Sequence, residues 1–295
     1  MFLVAAVALS VVPVASQEVE VPPRLNKLIP MLMKGDVLFG SAVPLSSKSA
    51  AKRAASSGWD FAWFEMEHSG FELTELEESM QFLLDRRQIL SQGSLARPVV
   101  PLVRIPSNGR ELNQWIVKQA MDQGVYGILF PHINTVEEAR HAVQYSRYAQ
   151  AAGAPDAEPE GHRGVAPGNA MRWWGIDDFK EYHRRADVWP LDPDGELTVW
   201  ILIEEEEGAR NLPQILDEVP VSAMIAAEVD MSTSMGIPGG RFDERVEEVM
   251  AGIVAACKLR GVPVGALATR DNIERRIREG YQILITGDAH LAWKC

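Results

Sequence analysis

The feature that most constrains this chain is an alternation of short apolar runs with longer amphipathic stretches, which begins near Leu25 and continues almost to the end. Apolar runs of this length are typical of strands, and apolar residues three or four apart are typical of helices. Eight runs predict strands, at residues 37–41, 61–64, 99–103, 127–130, 198–203, 223–227, 262–267 and 282–285. The stretches between them predict helices, at residues 73–90, 111–123, 136–148, 212–217, 241–260 and 271–279, and capping motifs are expected at Thr74 with Glu77 and at Thr135 with Glu138. Because no linker divides the series, we expect a single α/β domain, a closed (β/α)8 TIM barrel rather than an open doubly wound sheet.

The N-terminus predicts a separate segment. Residues 1–17 carry no charge, and residues 2–15 are almost wholly apolar. The segment is too short to span a membrane and is similar to a signal peptide, although no Lys or Arg precedes it. We expect an exported or periplasmic protein; the alternative is a disordered extension or misassigned start on a cytoplasmic protein. In both cases residues 1–20 lie outside the barrel, which then covers 21–295.

Charge and cysteine usage exclude several classes of function. The formal charge of −12 disfavours nucleic acid and anionic membrane surfaces as partners. Cys257 and Cys295 are too few for a disulfide framework or a four-thiolate zinc site, and whether they pair is open. No dinucleotide or P-loop glycine motif follows a predicted strand, which disfavours nucleotide cofactors.

One segment interrupts the alternation of predicted strands and helices. Residues 150–197 are rich in proline, glycine and charge, and contain His162, Arg163 and the pair Trp173-Trp174. We expect a long βα connection that partly covers the barrel mouth.

The side chains that follow the predicted strands form an unusually acidic set. Active sites of (β/α)8 barrels lie at the carboxyl ends of the strands, so these side chains should converge. The set is Glu65, Glu67 and His68 after the second strand, Arg104 at the end of the third, His132 after the fourth, the glutamates at 204–207 after the fifth, and Glu228 and Asp230 after the sixth.

Two of these carboxylates predict a metal site. The glutamates at 205–207 are explained by the first turn of a following helix. Glu204, however, directly ends an apolar run, where an unpaired carboxylate is costly to bury. Asp230 has a similar position on the next strand, and two carboxylates with water and substrate oxygens favour Mg²⁺ or Mn²⁺.

Three other residues of the set have a functional and a structural interpretation. Arg104 would capture a substrate carboxylate with its planar fork, or form a salt bridge to a barrel carboxylate. His68 follows two acids that could orient its ring for proton transfer, although an isolated histidine is more often structural. Nothing in the sequence accompanies His132, so we interpret it as a loop histidine.

Together these segments resemble the HpcH/HpaI aldolase family, metal-dependent aldolases of the pyruvate-binding barrel superfamily that cleave or form 2-keto-3-deoxy acids. The resemblance runs from about residue 25 to residue 288, and its motifs occur in the family's order. They are Asn26-Lys27-Leu28-Ile29, Phe39-Gly40, Trp59-Asp60-Phe61 through Glu67-His68-Ser69-Gly70, Pro101-Leu102-Val103-Arg104-Ile105-Pro106, Gly127-Ile128-Leu129-Phe130-Pro131, Arg163-Gly164, Ile203-Glu204, Asp230-Met231-Ser232 and Gly287-Asp288.

The resemblance implies a reversible aldol cleavage that yields pyruvate and an aldehyde, and a homo-oligomer. The roles it implies are a divalent ion on Glu204 and Asp230, pyruvate or enolate binding by Arg104, substrate contact by Ser232, and a base at His68 assisted by Glu65.

The chain also departs from the family pattern. Glu65 stands where the family usually has Asp, and Ala227-Glu228-Val229 replaces Gly-Pro-Ala before the metal Asp. Glu228 would support the site from behind or perturb the backbone beneath the substrate. The chain ends soon after the eighth predicted strand, so the terminal helix that family members exchange between subunits looks short or missing.

Two other classes of function stay open at this point. One is an acyl-CoA lyase of the citrate lyase β type, although no basic, adenine-sized site is visible. The other is a non-catalytic protein that binds a metal and a keto acid, which the departures at Glu65 and Glu228 motivate. One fold hosts many functions, so the barrel alone does not decide among them.

Overall fold

The computed structural model describes residues 24–106 and 114–287, so the predicted signal peptide lies outside the described residues. Nine parallel strands belong to one sheet, and eight of them close into a barrel in the order β1-β2-β3-β4-β6-β7-β8-β9. The strands are β1 (Leu38–Pro44), β2 (Phe61–Glu65), β3 (Val100–Arg104), β4 (Gly127–Phe130), β5 (Val188–Trp189), β6 (Leu197–Ile203), β7 (Ala223–Ala226), β8 (Val264–Ala268) and β9 (Ile283–Thr286). The predicted TIM barrel is confirmed.

Twelve helices surround or adjoin the strands within the described ranges. They are α1 (Leu28–Lys34), α2 (Lys48–Ala55), α3 (Leu73–Gln81), α4 (Arg86–Gln92), α5 (Gln114–Asp122), α6 (Val136–Ser146), α7 (Gly168–Trp174), α8 (Phe179–Arg185), α9 (Glu206–Glu218), α10 (Glu228–Ser234), α11 (Glu244–Arg260) and α12 (Ile273–Glu279). None of these helices combines the length and the apolar character that crossing a bilayer requires.

The barrel interior is filled by large side chains from strands that are not neighbours. The rings of Phe61 on β2 and Trp200 on β6 meet edge to face with centroids 5.2 Å apart. Gly40 on β1 makes room for this pair, because a Cβ there would lie 2.4 Å from the Phe61 ring. The eight predicted strands match the eight barrel strands because each is buried on both faces and therefore reads as a continuous apolar run.

The helices differ more from the sequence prediction. The stretch expected to form one helix over 73–90 is two, α3 and α4, and the Asp85 side chain caps the second by accepting from the backbone N–H groups of Arg87 and Gln88. A helix start at Thr74 with Glu77 is wrong, since α3 begins one residue earlier after Glu72 and has no side-chain cap. The β5 strand and the helices α1, α2, α7, α8 and α10 were not predicted.

The long connection over 150–197 lies at the other end of the barrel from the one expected. It follows α6 and leads into β6, so it joins a helix to a strand. The Trp174 indole donates to the carbonyl of Gly124 at 2.9 Å and stacks on Tyr126, both just before β4. Because α6 returns the chain to the amino ends of the strands, this connection does not cover the mouth, which lies at their carboxyl ends.

The two similar N-cap motifs give a test of the fold. The Thr135 side chain accepts from the Glu138 N–H at 3.2 Å, within a complete capping box. Thr135→Ala should lower the free energy of unfolding by about 1 kcal/mol, measured by urea denaturation. Thr74→Ala is the matched control and should cost less than about 0.5 kcal/mol, since exposed Thr74 caps nothing. Equal losses would contradict the assigned helix starts.

Candidate active site

Arg104 is held by two carboxylates at the carboxyl ends of β2 and β3. Strand register places Glu65 directly opposite Arg104. The guanidinium donates from Nε to Glu65 Oε2 at 2.8 Å and pairs from Nη1 with Glu67 Oε2 at 3.0 Å. It also lies over the Trp63 ring, 5.6 Å from the centroid. The salt bridge to a barrel carboxylate, one of the two interpretations of Arg104, is therefore present. It fixes the position of the Arg104 charge at the barrel mouth.

Glu65 and Glu67 have different tasks in the loop after β2. Glu65 Oε1 accepts from the backbone N–H groups of Glu67 and His68, at 2.8 and 3.1 Å, so this buried carboxylate shapes the loop. The acid beside the His68 ring is Glu67, whose Oε2 lies 3.4 Å from His68 Nε2. Burial raises the pKa of Glu67, which Arg104 and His68 partly oppose. The His68 side chain is 68% exposed and so is accessible to a ligand.

His132 lies among the carboxylates of the mouth and is not the isolated loop histidine that the sequence predicted. Its backbone N–H donates to Glu204 Oε1 at 2.7 Å, and its Nδ1 lies 3.0 Å from Glu205 Oε1. Asn134 donates to the other oxygen of Glu205 at 3.0 Å. His132 has a φ of 55°, a conformation uncommon outside glycine. These partners come from the loop after β6, so no pattern near His132 in the sequence could have revealed them.

The structure refines the interpretation of the four successive glutamates. Helix α9 begins at Glu206, so Glu206 and Glu207 lie in its first turn as expected. Glu205 is the N-cap residue, but its carboxylate points to His132 and Asn134.

Glu204 is more deeply buried than Glu65, Glu67 or Glu205. The residue is 2% exposed. Burial, with repulsion from Asp230 and Glu67, raises the pKa of Glu204 to about 7, although His132 opposes the shift. Among the described residues, no lysine or arginine forms an ion pair with Glu204. Asp230 lies in the first turn of α10 and is exposed, close enough for the two charges to interact.

Ser232 and Glu228 are buried in α10. The Ser232 hydroxyl donates to the Val229 carbonyl at 2.7 Å, so its contact with substrate stays a prediction. Neither carboxylate oxygen of Glu228 has a hydrogen-bond partner among the described residues. Burial raises the pKa of Glu228, and Arg276 and Arg241 partly oppose this. The charged groups that act on the Glu228 carboxylate thus belong to the outer layer of the barrel.

A second acidic cluster lies in the long connection. Asp156, Asp187 and Asp192 have carboxylate oxygens within 4.8 Å of one another. The fully buried guanidinium of Arg147 donates to both Asp187 oxygens, at 2.7 and 2.5 Å, and to Asp156 at 3.2 Å. Arg147 thus pairs with two of the three carboxylates, and the cluster has no part in the mouth.

The chain aligns over most of its length with one protein family. The HpcH/HpaI aldolase/citrate lyase family matches residues 38–289. The chain belongs to this family. The match extends from β1 to just beyond β9 and so includes every strand of the barrel.

Known relatives and a solved structure agree with this assignment. The hydroxypyruvate/pyruvate aldolase of Paraburkholderia phytofirmans is 28% identical over 243 residues, which cover 82% of this chain and 83% of that enzyme. The 4-hydroxy-2-oxo-heptane-1,7-dioate aldolase of Escherichia coli is 28% identical over 256 residues, covering 86% and 85%. A family member from Burkholderia cenocepacia has a crystal structure with a TM-score of 0.71, 28% identity, and coverage of 91% and 94%.

The resemblance stated from the motifs is therefore confirmed, and so is the expectation of a lyase that acts on carbon–carbon bonds, since the aligned relatives are aldolases. The structure brings Glu65, Arg104 and His68 together on one side of the mouth, and His132 with Glu204 on the other. Glu67 connects the two sides, with its Oε1 3.9 Å from His132 Nε2.

The raised pKa of Glu204 gives a pH dependence with a definite sign. At pH values between 4.5, the ordinary pKa of a glutamate, and about 7, Glu204 of the folded metal-free protein holds a proton that the unfolded chain releases. Stability of chelator-treated protein should therefore fall as pH rises through this window, and Glu204→Gln should reduce the fall. Chemical denaturation of both proteins at several pH values measures it. An identical pH slope in the two proteins would contradict a proton on Glu204.

Proposed function

We propose that this protein is a divalent-metal-dependent aldolase that reversibly cleaves a 4-hydroxy-2-oxo acid to pyruvate and an aldehyde. The observation that carries the proposal is the buried Glu204 carboxylate, which lies near Asp230 and Glu67 without a lysine or arginine partner in the described ranges. Such a group is costly unless a cation or a proton neutralises it. The relatives named above are aldolases, which supports the same reaction class.

The donor set at the mouth fits a hard divalent ion. Glu204 and Asp230 offer carboxylate oxygens, which favour Mg²⁺ or Mn²⁺ over softer metals. Glu204 keeps one oxygen in a hydrogen bond with the His132 N–H, which fixes its orientation for a ligand. When bound there, the ion would act as a Lewis acid that stabilises negative charge developing on the 2-keto oxygen during carbon–carbon cleavage.

The chain's own residues supply the remaining charge and the proton transfer. Arg104 provides a permanent positive charge toward the pyruvate carboxylate, and Glu65 and Glu67 hold its guanidinium in place. His68 is exposed, and Glu67 beside its ring would stabilise the protonated form after it takes the C4 hydroxyl proton. Glu65 acts here as a positioning residue, because it binds the backbone of this loop.

The two alternatives gain less support from the same geometry. A CoA substrate needs cationic groups for its phosphates, but the described mouth is dominated by carboxylates, and Arg104 is already engaged by two of them. A non-catalytic binding protein would retain the metal site and lack turnover, so exchange of the pyruvate methyl protons with solvent distinguishes the two. Export and homo-oligomer formation stay proposals that rest on residues 1–17 and on the family resemblance.

The metal pair gives the decisive test. Glu204→Gln and Asp230→Asn should each weaken Mn²⁺ binding in calorimetric titration and abolish metal-dependent exchange of pyruvate protons, because each removes an anionic ligand. Glu228→Gln is a matched control in the same helix as Asp230, α10, and should keep Mn²⁺ affinity and activity, since its buried carboxyl interacts with Arg276 and Arg241. Unchanged Mn²⁺ affinity in both ligand variants, or full activity of chelator-treated wild type, would overturn the proposal.

The two histidines of the mouth give a further test. His68→Ala should slow aldol cleavage by about 10²–10⁴-fold while pyruvate binding changes little, as expected for loss of a base. His132→Ala should instead weaken metal binding, because its ring holds Glu205 in the loop that carries Glu204. Steady-state kinetics and Mn²⁺ titration of both variants separate the two roles. A His68 variant that loses binding and cleavage equally would contradict the assignment of the base.

A further inference from the structure

A cavity of about 520 Å³ opens at the amino end of the barrel, away from Glu204. Arg97 lines it three residues before β3 begins. Trp173 of α7 forms another wall, next to Gly124, which precedes β4. The remaining walls come from α3, α4 and the residue that follows α5. The cavity therefore shares no residue with the mouth described above.

Arg97 is a buried cation that forms no ion pair within the described residues. The residue is 4% exposed, and its Nε and Nη1 have no hydrogen-bond partner among the described residues. Its guanidinium lies over the Trp173 ring, 5.4 Å from the centroid. Burial lowers the pKa of Arg97, and Tyr126 is the group that opposes this. Because an arginine does not give up its proton, a charge placed here calls for an anion.

Two further arginines make the cavity strongly basic. Arg86 and Arg172 line it and are exposed, and within the described part of the chain neither forms an ion pair. Glu77 is the one carboxylate among the lining residues. Three guanidinium groups against one carboxylate give a local positive charge in a chain whose formal charge is −12.

We propose that this cavity binds a small organic anion with two or more anionic oxygens, a phosphomonoester or a dicarboxylate. The guanidinium of Arg97, which lines the cavity, would meet one anionic group at the bottom of the cavity. Arg86 and Arg172 would meet the other end at the rim. The volume lies within the usual range of small-molecule sites, about 300–1,000 Å³. This second site does not rest on the aldolase proposal.

Calorimetric titration of the full chain at low ionic strength tests the site with two ligands, glycerol 3-phosphate and succinate. At least one should bind saturably. Arg97→Met should weaken that binding by at least about tenfold, and Arg86→Gln and Arg172→Gln by about threefold each, since exposed charges contribute less. Arg87→Gln is the matched control: Arg87 is the exposed neighbour of Arg86 but does not line the cavity, so its variant should bind as wild type.

The two ligands also identify the anion class, because binding of one alone assigns the cavity to that class. The rim variants keep the test decisive if Arg97→Met fails to fold. Arg104→Lys at the mouth should leave the affinity unchanged, which separates this site from the proposed active site. The proposal is overturned if neither ligand binds saturably, if Arg87→Gln weakens binding as much as Arg86→Gln, or if Arg104→Lys abolishes it.

Discussion

A buried carboxylate at the carboxyl end of β6 is the constraint on which the geometry of the mouth depends. Strand β6 is buried along its whole length, and Glu204 follows its last residue with almost no exposure to water. One oxygen of Glu204 is satisfied by the His132 N–H, which holds the loop after β4 at a positive φ. Asn134 and Glu205 then fix the His132 side of the mouth. The cost of burying one charge thus organises two adjacent loops.

The other side of the mouth is organised by a single arginine. Arg104, at the end of β3, pairs with Glu65 at the end of β2 and with Glu67 in the loop that follows. Glu65 in turn accepts a hydrogen bond from the backbone N–H of His68 in that loop. The mouth therefore holds the fixed cation Arg104 among several carboxylates, which suits an anionic substrate only where a further cation is supplied. The cavity at the amino end has the reverse balance, with three arginines and one glutamate among its lining residues.

Some expectations were met because they depend on neighbours along the chain. Thr135 and Glu138 form the predicted capping box, since cap and acceptor lie three residues apart in one turn. The same spacing at Thr74 forms no cap, because α3 begins at Leu73 and Thr74 lies within its first turn. The connection over 150–197 is rich in proline, glycine and charge, which predicts a loop over the mouth, but it follows α6 and leads into β6, so it lies at the amino end.

The sequence by itself determined the barrel, the family and the positions from which the mouth is built. Apolar runs buried on both faces mark strands wherever they lie, and the residue after each strand reaches the mouth in any (β/α)8 barrel. Only the tertiary structure decided which side chains meet. It paired the His68 ring with Glu67 instead of Glu65, and brought His132 to Glu204 across 72 residues of sequence. Such contacts arise when the barrel closes and brings distant strands side by side, so no local pattern records them.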